Sequence, residues 1–255
     1  MKHKSLFEEL IEDMESDKKI VKSFKSKDRL SDEIFEKNDE SYVMKTEIRK
    51  RLLEITDQFM DFLGIEFFIH DIVLTGSLSN YNWSEYSDVD LHILIDFEES
   101  KYDTDLLKEF FDSKKNIWNE KHNIKIKNYD VELYVQDVNE PHVSSGVYSV
   151  LNNEWIVQPE KTNPKIDDRK ILEKGEEYAK QIDSLISDNG SEKELLSKIE
   201  LLRNRIKKFR QSGLESGGEY SYENLTFKLL RRNNYIKKLL DLKNKVLDKK
   251  LSVTQ

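Results

Sequence analysis

The sequence predicts an α+β protein, with a mixed β-sheet core and flanking helices followed by a C-terminal helical bundle. Three observations predict it. Between Val73 and Asp96 an apolar run leads into Gly76-Ser77, a polar connector follows, and a second apolar run opens at Asp88-Val89-Asp90, the pattern of strand, glycine turn, connector and strand. Stretches with apolar residues at helical spacing flank that segment. Beyond Pro159 and Pro164, which interrupt strand pairing, the composition turns to helix formers. The domains read as a helical lead-in over residues 1–40, a core over 41–160 and a helical domain over 161–255.

Each element has its own warrant. Leu6, Phe7, Leu10, Ile11 and Met14 mark one face of a short helix. The charged stretch 16–40, with Ile20, Val21, Phe24, Leu30, Ile34 and Phe35, reads as further helical pieces or a mobile lead-in. From about Ser41 to Leu63, Val43, Met44, Ile48, Leu52, Ile55, Phe59 and Phe62 form an amphipathic helix that Gly64 is placed to end. Residues 67–74 and 88–97 are the first two core strands. Leu106, Leu107, Phe110, Phe111, Ile117 and Trp118 predict a helix before a third strand at Asp130–Val135. Two β-prone runs around Asn152-Asn153 predict a hairpin over 146–157 that extends the sheet. Three helices then follow: one from Ile171 to Ile186, one from Leu195 to Phe209 closed by a flexible Ser212–Glu219 loop, and one from the N-cap Ser221 to Leu247.

Composition narrows the class. A chain of 255 residues with 37% hydrophobic and 36% charged side chains is long enough for a buried core and too apolar for a disordered polymer. No apolar run reaches the roughly 18 residues of a membrane span, and Glu8 and Glu9 stand where a signal peptide needs its apolar stretch. With no cysteine there is no disulfide framework or thiolate metal site, so the expected compartment is the cytoplasm. The net charge of −8 is uneven. Lys198–Lys250 holds 15 Lys and Arg against 6 Asp and Glu, a segment of +9 that leaves −17 elsewhere. Such asymmetry points to nucleic-acid contact, although lysine-rich helix faces are also often simply solvated.

The chemistry concentrates at the central segment. Side chains alternate along a strand, so Asp88, Asp90, His92 and Leu94 share one face while Val89, Leu91, Ile93 and Ile95 share the other. Two carboxylates this close resist joint ionisation. A hard divalent cation removes that cost, and Mg²⁺ is usually held by one or two carboxylates together with substrate phosphates. Gly76 lets backbone approach a phosphate, and a helix beginning near Ser77 would aim free N–H groups at it. On the third strand Val131, Leu133 and Val135 face the core, while Asp130, Glu132 and Tyr134 lie opposite. Bland readings stand beside these: an Asp-x-Asp strand is often a solvated edge, and Gly-Ser is a common turn.

The order Gly76-Ser77, spacer, Ser87-Asp88-Val89-Asp90 and a later strand carboxylate resembles the DNA polymerase β-like nucleotidyltransferase superfamily. The resemblance spans about residues 65–158 and implies a nucleotidyltransferase-type sheet core. It implies Asp88, Asp90 and Glu132 as catalytic metal ligands, with Asp130 competing for the third place because the superfamily more often has aspartate there. Gly76, Ser77 and Ser87 would hold the nucleotide. The cofactor would be Mg²⁺ or Mn²⁺, with two ions about 3.5–4 Å apart, and the substrate an NTP, ATP among them. An attack on the α-phosphate would release pyrophosphate, Glu132 completing the second metal site or accepting the hydroxyl proton. The chain is also similar in general appearance to nucleotidyltransferases of tailed bacteriophages, which would place it in a host cytoplasm. The basic tail makes RNA one acceptor. Small-molecule or protein hydroxyls, as in antibiotic-adenylyltransferase-like and toxin-like members, are another, and a non-catalytic assembly protein keeping the fold is a third reading. Around this centre, His92 could touch phosphate or be hydrogen-bonded internally, and His142, Ser144 and Ser145 could border the site or form an ordinary loop. Tyr81 and Trp83 could stack on a base or pack beneath the connector. Arg203, Arg205, Arg231 and Arg232 are candidate phosphate contacts if the helices face the cleft.

Overall fold

The computed structural model describes residues 6–38, 41–140 and 144–253. In chain order its elements are α1 (Leu6–Lys22), β1 (Phe35–Lys37), β2 (Tyr42–Met44), α2 (Thr46–Leu63), β3 (Asp71–Thr75), β4 (Val89–Ile95), α3 (Thr104–Lys121), β5 (Lys125–Ile126), β6 (Tyr129–Asp137), β7 (Val147–Ser149), β8 (Glu154–Val157), α4 (Asp168–Ile186), α5 (Glu192–Gly217), a 3₁₀ turn (Gly218–Tyr220), α6 (Tyr222–Arg232) and α7 (Tyr235–Leu251). The fold is α+β. Two compact units divide the chain, Ser26–Asn163 and Met1–Lys25 with Pro164–Gln255; among the described residues the first holds the six-stranded sheet and the second is helical.

In the first unit a six-stranded mixed sheet runs in the order β5-β6-β4-β3-β7-β8. Only β4 and β6 pair in parallel among its ladders. The expected alternation holds: Ile72, Leu74, Val89, Leu91, Ile93, Ile95 and Leu133 enter one core with Ile48, Leu52, Ile55 and Phe59 of α2 and Leu107, Phe111 and Trp118 of α3. Fully burying each such side chain stabilises by about 1.5–3 kcal/mol. Gly64 ends α2 in the left-handed region at φ 68°, where glycine has no Cβ penalty. The hairpin over β7 and β8 turns through Asn153 at φ 61°. Beyond its short pairing with β5, β6 has an outer edge, and α3 closes part of it. The Asn119 amide donates to the Leu133 carbonyl and its oxygen accepts the Leu133 N–H, both at 3.1 Å.

The N-terminal third departs from the sequence reading. Residues 26–40 were expected to belong to the lead-in, yet Leu30, Ile34 and Phe35 are fully buried in the sheet unit's core. Val43 and Met44, expected in a helix, form β2 against β1, and α2 starts only at Thr46. The cause is long-range. The Tyr148 hydroxyl accepts the Met44 N–H at 3.1 Å, the Trp155 indole donates to the Tyr42 carbonyl at 2.7 Å, and Phe35 stacks on Trp155.

The helical unit also corrects the sequence reading in detail. α5 continues through Ser212–Gly217, because Gly213 sits against Glu223 and Ser221, where a Cβ would meet side-chain atoms at 2.4 and 2.7 Å. The glycine there allows close helix approach rather than looseness. Ser221 caps α6 by accepting the Asn224 N–H, but the predicted long helix divides at Asn233-Asn234, the latter at φ 61°. The core joins Tyr178 and Ile182 of α4, Leu195, Ile199, Leu202 and Ile206 of α5, Leu230, Leu239 and Val246. Residues 17–24 dock on α6 through Asn233 to Asp17 at 2.5 Å and Arg232 to Ser23 at 2.7 Å. The units differ in charge: Ser26–Asn163 carries 15 Lys and Arg against 29 Asp and Glu, net −14, which leaves +6 on the other.

Tyr148 is wholly buried, and burial pushes its hydroxyl pKa up. The folded chain therefore keeps a proton that the unfolded chain releases near pH 10, so stability falls above that pH. Urea midpoints between pH 9 and 11 should decline less steeply in Tyr148→Phe than in the wild type. At pH 7 the variant should be about 1 kcal/mol less stable for its lost hydrogen bonds.

Candidate active site

The site forms where β3 ends and β4 begins. Thr75 closes β3 opposite Asp90 of β4, and the chain leaves through Gly76 at φ +72°. A Cβ at Gly76 would lie 2.0 Å from Asp90 Oδ2, so the missing side chain is what lets the carboxylate rest against the turn. No helix begins at Ser77, contrary to expectation. Residues 76–79 form consecutive turns, with the Asn80 N–H bonded to the Ser77 carbonyl at 3.2 Å.

The turn is braced from two sides. Ser77 Oγ donates to Ser87 Oγ at 2.8 Å, and Ser87 Oγ accepts the Ser84 N–H at 3.0 Å, closing the connector just before Asp88. Ser79 Oγ bonds the Gly146 carbonyl at 2.7 Å. Gly146 is packed so tightly that a Cβ would meet the Ser79 carbonyl oxygen at 2.1 Å. Asn80 bonds Ser145, and Ser144 Oγ donates to the Gly146 carbonyl, so these serines border the turn. His142 lies outside the described residues.

The third carboxylate comes from the parallel ladder, whose register sets Glu132 of β6 directly beside Asp90 of β4. Asp88, Asp90 and Glu132, all half-buried, each offer an oxygen within 4.8 Å of the others. Asp130 takes no part in this group: it pairs across the β5–β6 ladder with Lys125 at 2.5 Å and is largely exposed. Three carboxylates at this separation resist joint ionisation and suit a hard divalent cation with oxygen ligands. An all-carboxylate donor set of this kind could hold a hard divalent cation such as Mg²⁺ or Mn²⁺.

Tyr134, next on the same face of β6, escaped the search for acids. Its hydroxyl donates to Glu132 Oε2 at 2.5 Å. Burial, then the Glu132 hydrogen bond and the charges of Glu132, Asp90 and Asp88, raise its pKa well above the usual phenol range. The ring stacks on His92 at 4.9 Å, and the Lys115 ammonium lies 4.6 Å from its centre. His92 Nδ1 is 2.9 Å from Gln136 Oε1, an internal contact rather than a free imidazole. Only the strict alternation of the third strand could have pointed to Tyr134.

Other candidates have local roles. Tyr81 and Trp83 pack against the core, and the Trp83 indole donates to the Arg29 carbonyl at 2.8 Å. The arginines lie in the helical unit, where Arg203 pairs with Glu200, Arg205 lies over Tyr178 and Arg232 over Phe24. Among the described residues, His70, Asp96 and Glu99 also gather their ligand atoms within 4.8 Å. There His70 Nε2 lies 3.4 Å from Glu99, and Asp96 accepts the N–H groups of Glu98 and Glu99, so the group is a side-chain contact beside a turn that Asp96 caps.

Gly76→Ala would drive a methyl group into Asp90 at a φ that alanine resists. Its Mn²⁺ affinity, measured by calorimetry, should fall at least tenfold while circular dichroism keeps the wild-type spectrum. No protein-family model, curated protein or solved structure matches the chain.

Proposed function

We propose that the protein is a metal-dependent nucleotidyltransferase that moves a nucleoside monophosphate from an NTP to an acceptor hydroxyl and releases pyrophosphate. One observation carries the reading: Asp88, Asp90 and Glu132 converge at the mouth of a tight Gly76-Ser77 turn. The sheet that presents them is, in this reading, a nucleotidyltransferase-type core. Asp88, Asp90 and Glu132 would hold Mg²⁺ or Mn²⁺, which supplies charge neutralisation for the triphosphate and a lowered pKa for the acceptor hydroxyl.

The chain's own groups set the remaining steps. Gly76 lets the Asp90 carboxylate rest against the turn, and the Ser77–Ser87 pair holds the turn against the strand that carries the acids. The acceptor oxygen bonds to the α-phosphorus as the bond from that phosphorus to the β-bridging oxygen breaks. Pyrophosphate carries away the released electron pair, and the hydroxyl proton passes to solvent or to Glu132.

RNA as acceptor draws support from the basic helical unit. A groove of about 750 Å³ there is lined in part by Lys180, Lys198, Arg205 and Lys208, of which Lys180 pairs with Glu176 and Lys198 with Asp188. The charge of −14 on the unit that carries the acids favours a second reading, transfer to a small-molecule or protein hydroxyl, because a polyanion approaching it meets repulsion.

Incubation of a cell extract with α-phosphate-labelled nucleotide and Mg²⁺ should yield a labelled product with the wild type. EDTA or the Asp88→Asn/Asp90→Asn double variant should lower the label at least a thousandfold. Nuclease or protease sensitivity of the label separates RNA from protein acceptors. A folded wild type that labels nothing with any of the four nucleotides would favour a partner-binding protein that has kept the fold.

A further inference from the structure

The geometry points to Tyr134 as a positioning residue that orients Glu132 for metal binding, an inference that rests on the metal-dependent reading above. A glutamate on a strand has three side-chain torsions, and fixing them at the moment of ligand binding costs conformational entropy. Tyr134 removes that freedom beforehand. It stands two residues from Glu132 on the same face of β6, and its hydroxyl holds one carboxylate oxygen at 2.5 Å. In that orientation Glu132 offers one carboxylate oxygen as a ligand beside Asp88 and Asp90.

The tyrosine is itself immobilised. Its neighbour across the parallel ladder, His92, stacks on the ring at an interplanar angle of 26° and is anchored by Gln136. Lys115 of α3 places its ammonium over the ring and is tied to Asp112 at 3.0 Å. Outer hydrogen bonds that orient a metal ligand typically change metal affinity 10–100-fold when removed.

Tyr134→Phe tests this, because it keeps the ring, the stacking and the lysine contact while deleting only the hydroxyl. Mn²⁺ binding by calorimetry should weaken about tenfold. In the transfer assay kcat should fall by a similar factor at limiting Mn²⁺ and recover as Mn²⁺ is raised, with the nucleotide KM within twofold of wild type. The loss should also vanish in a Glu132→Gln background, since a group that acts through Glu132 has nothing left to orient. A Tyr134→Phe protein with wild-type Mn²⁺ affinity and turnover would overturn the assignment while leaving the transferase reading intact, and so would an equal loss with and without Glu132. Equal Mn²⁺ binding by wild type and the Asp88→Asn/Asp90→Asn variant would instead overturn the metal site itself, and the positioning role with it.

Discussion

Like-charge crowding is the constraint on which the sheet unit turns. Asp88, Asp90 and Glu132 crowd like charge within 4.8 Å. The parallel register of β4 and β6 brings them together, and that register is held by the opposite face of the same strands. A slip of one residue would send Val89, Leu91, Ile93 and Leu133 to the polar side and expose the core. Burial of those side chains stabilises the register by about 1.5–3 kcal/mol each. The aliphatic core is therefore as much a determinant of the site as the carboxylates.

The parts of this arrangement that could be read beforehand are those with short-range signatures. Two-residue alternation showed which face of β4 carries the acids, Gly64 and Asn153 marked positions with positive φ, and Ser221 marked a helix start. The parts that could not be read depend on partners far away in the chain. Val43-Met44 satisfies helical and extended patterns alike, and Tyr148, about a hundred residues later, decides between them. Gly213 looks like a loop glycine until Glu223 is packed against it. The choice between Asp130 and Glu132 needed the strand register, and Tyr134 and Lys115 entered the site by contacts that no motif encodes.

Charge divides along the same boundary as the fold. The sheet unit holds the excess of aspartate and glutamate, while the helical unit holds the surplus of lysine and arginine. Field effects of this kind act over roughly a Debye length, about 8 Å at physiological salt. In the proposed reading, the acidic cluster would attract a divalent cation and disfavour a bare phosphate, so metal would bind before nucleotide.

The Asn119 side chain has a consequence for assembly. An open strand edge is a template on which another chain can add a strand, and such pairing propagates into aggregates. By giving Leu133 both of the hydrogen bonds a neighbouring strand would offer, Asn119 mimics that neighbour and ends the ladder from within the molecule. The strand that carries Glu132 is in this way protected at its centre from intermolecular β-augmentation.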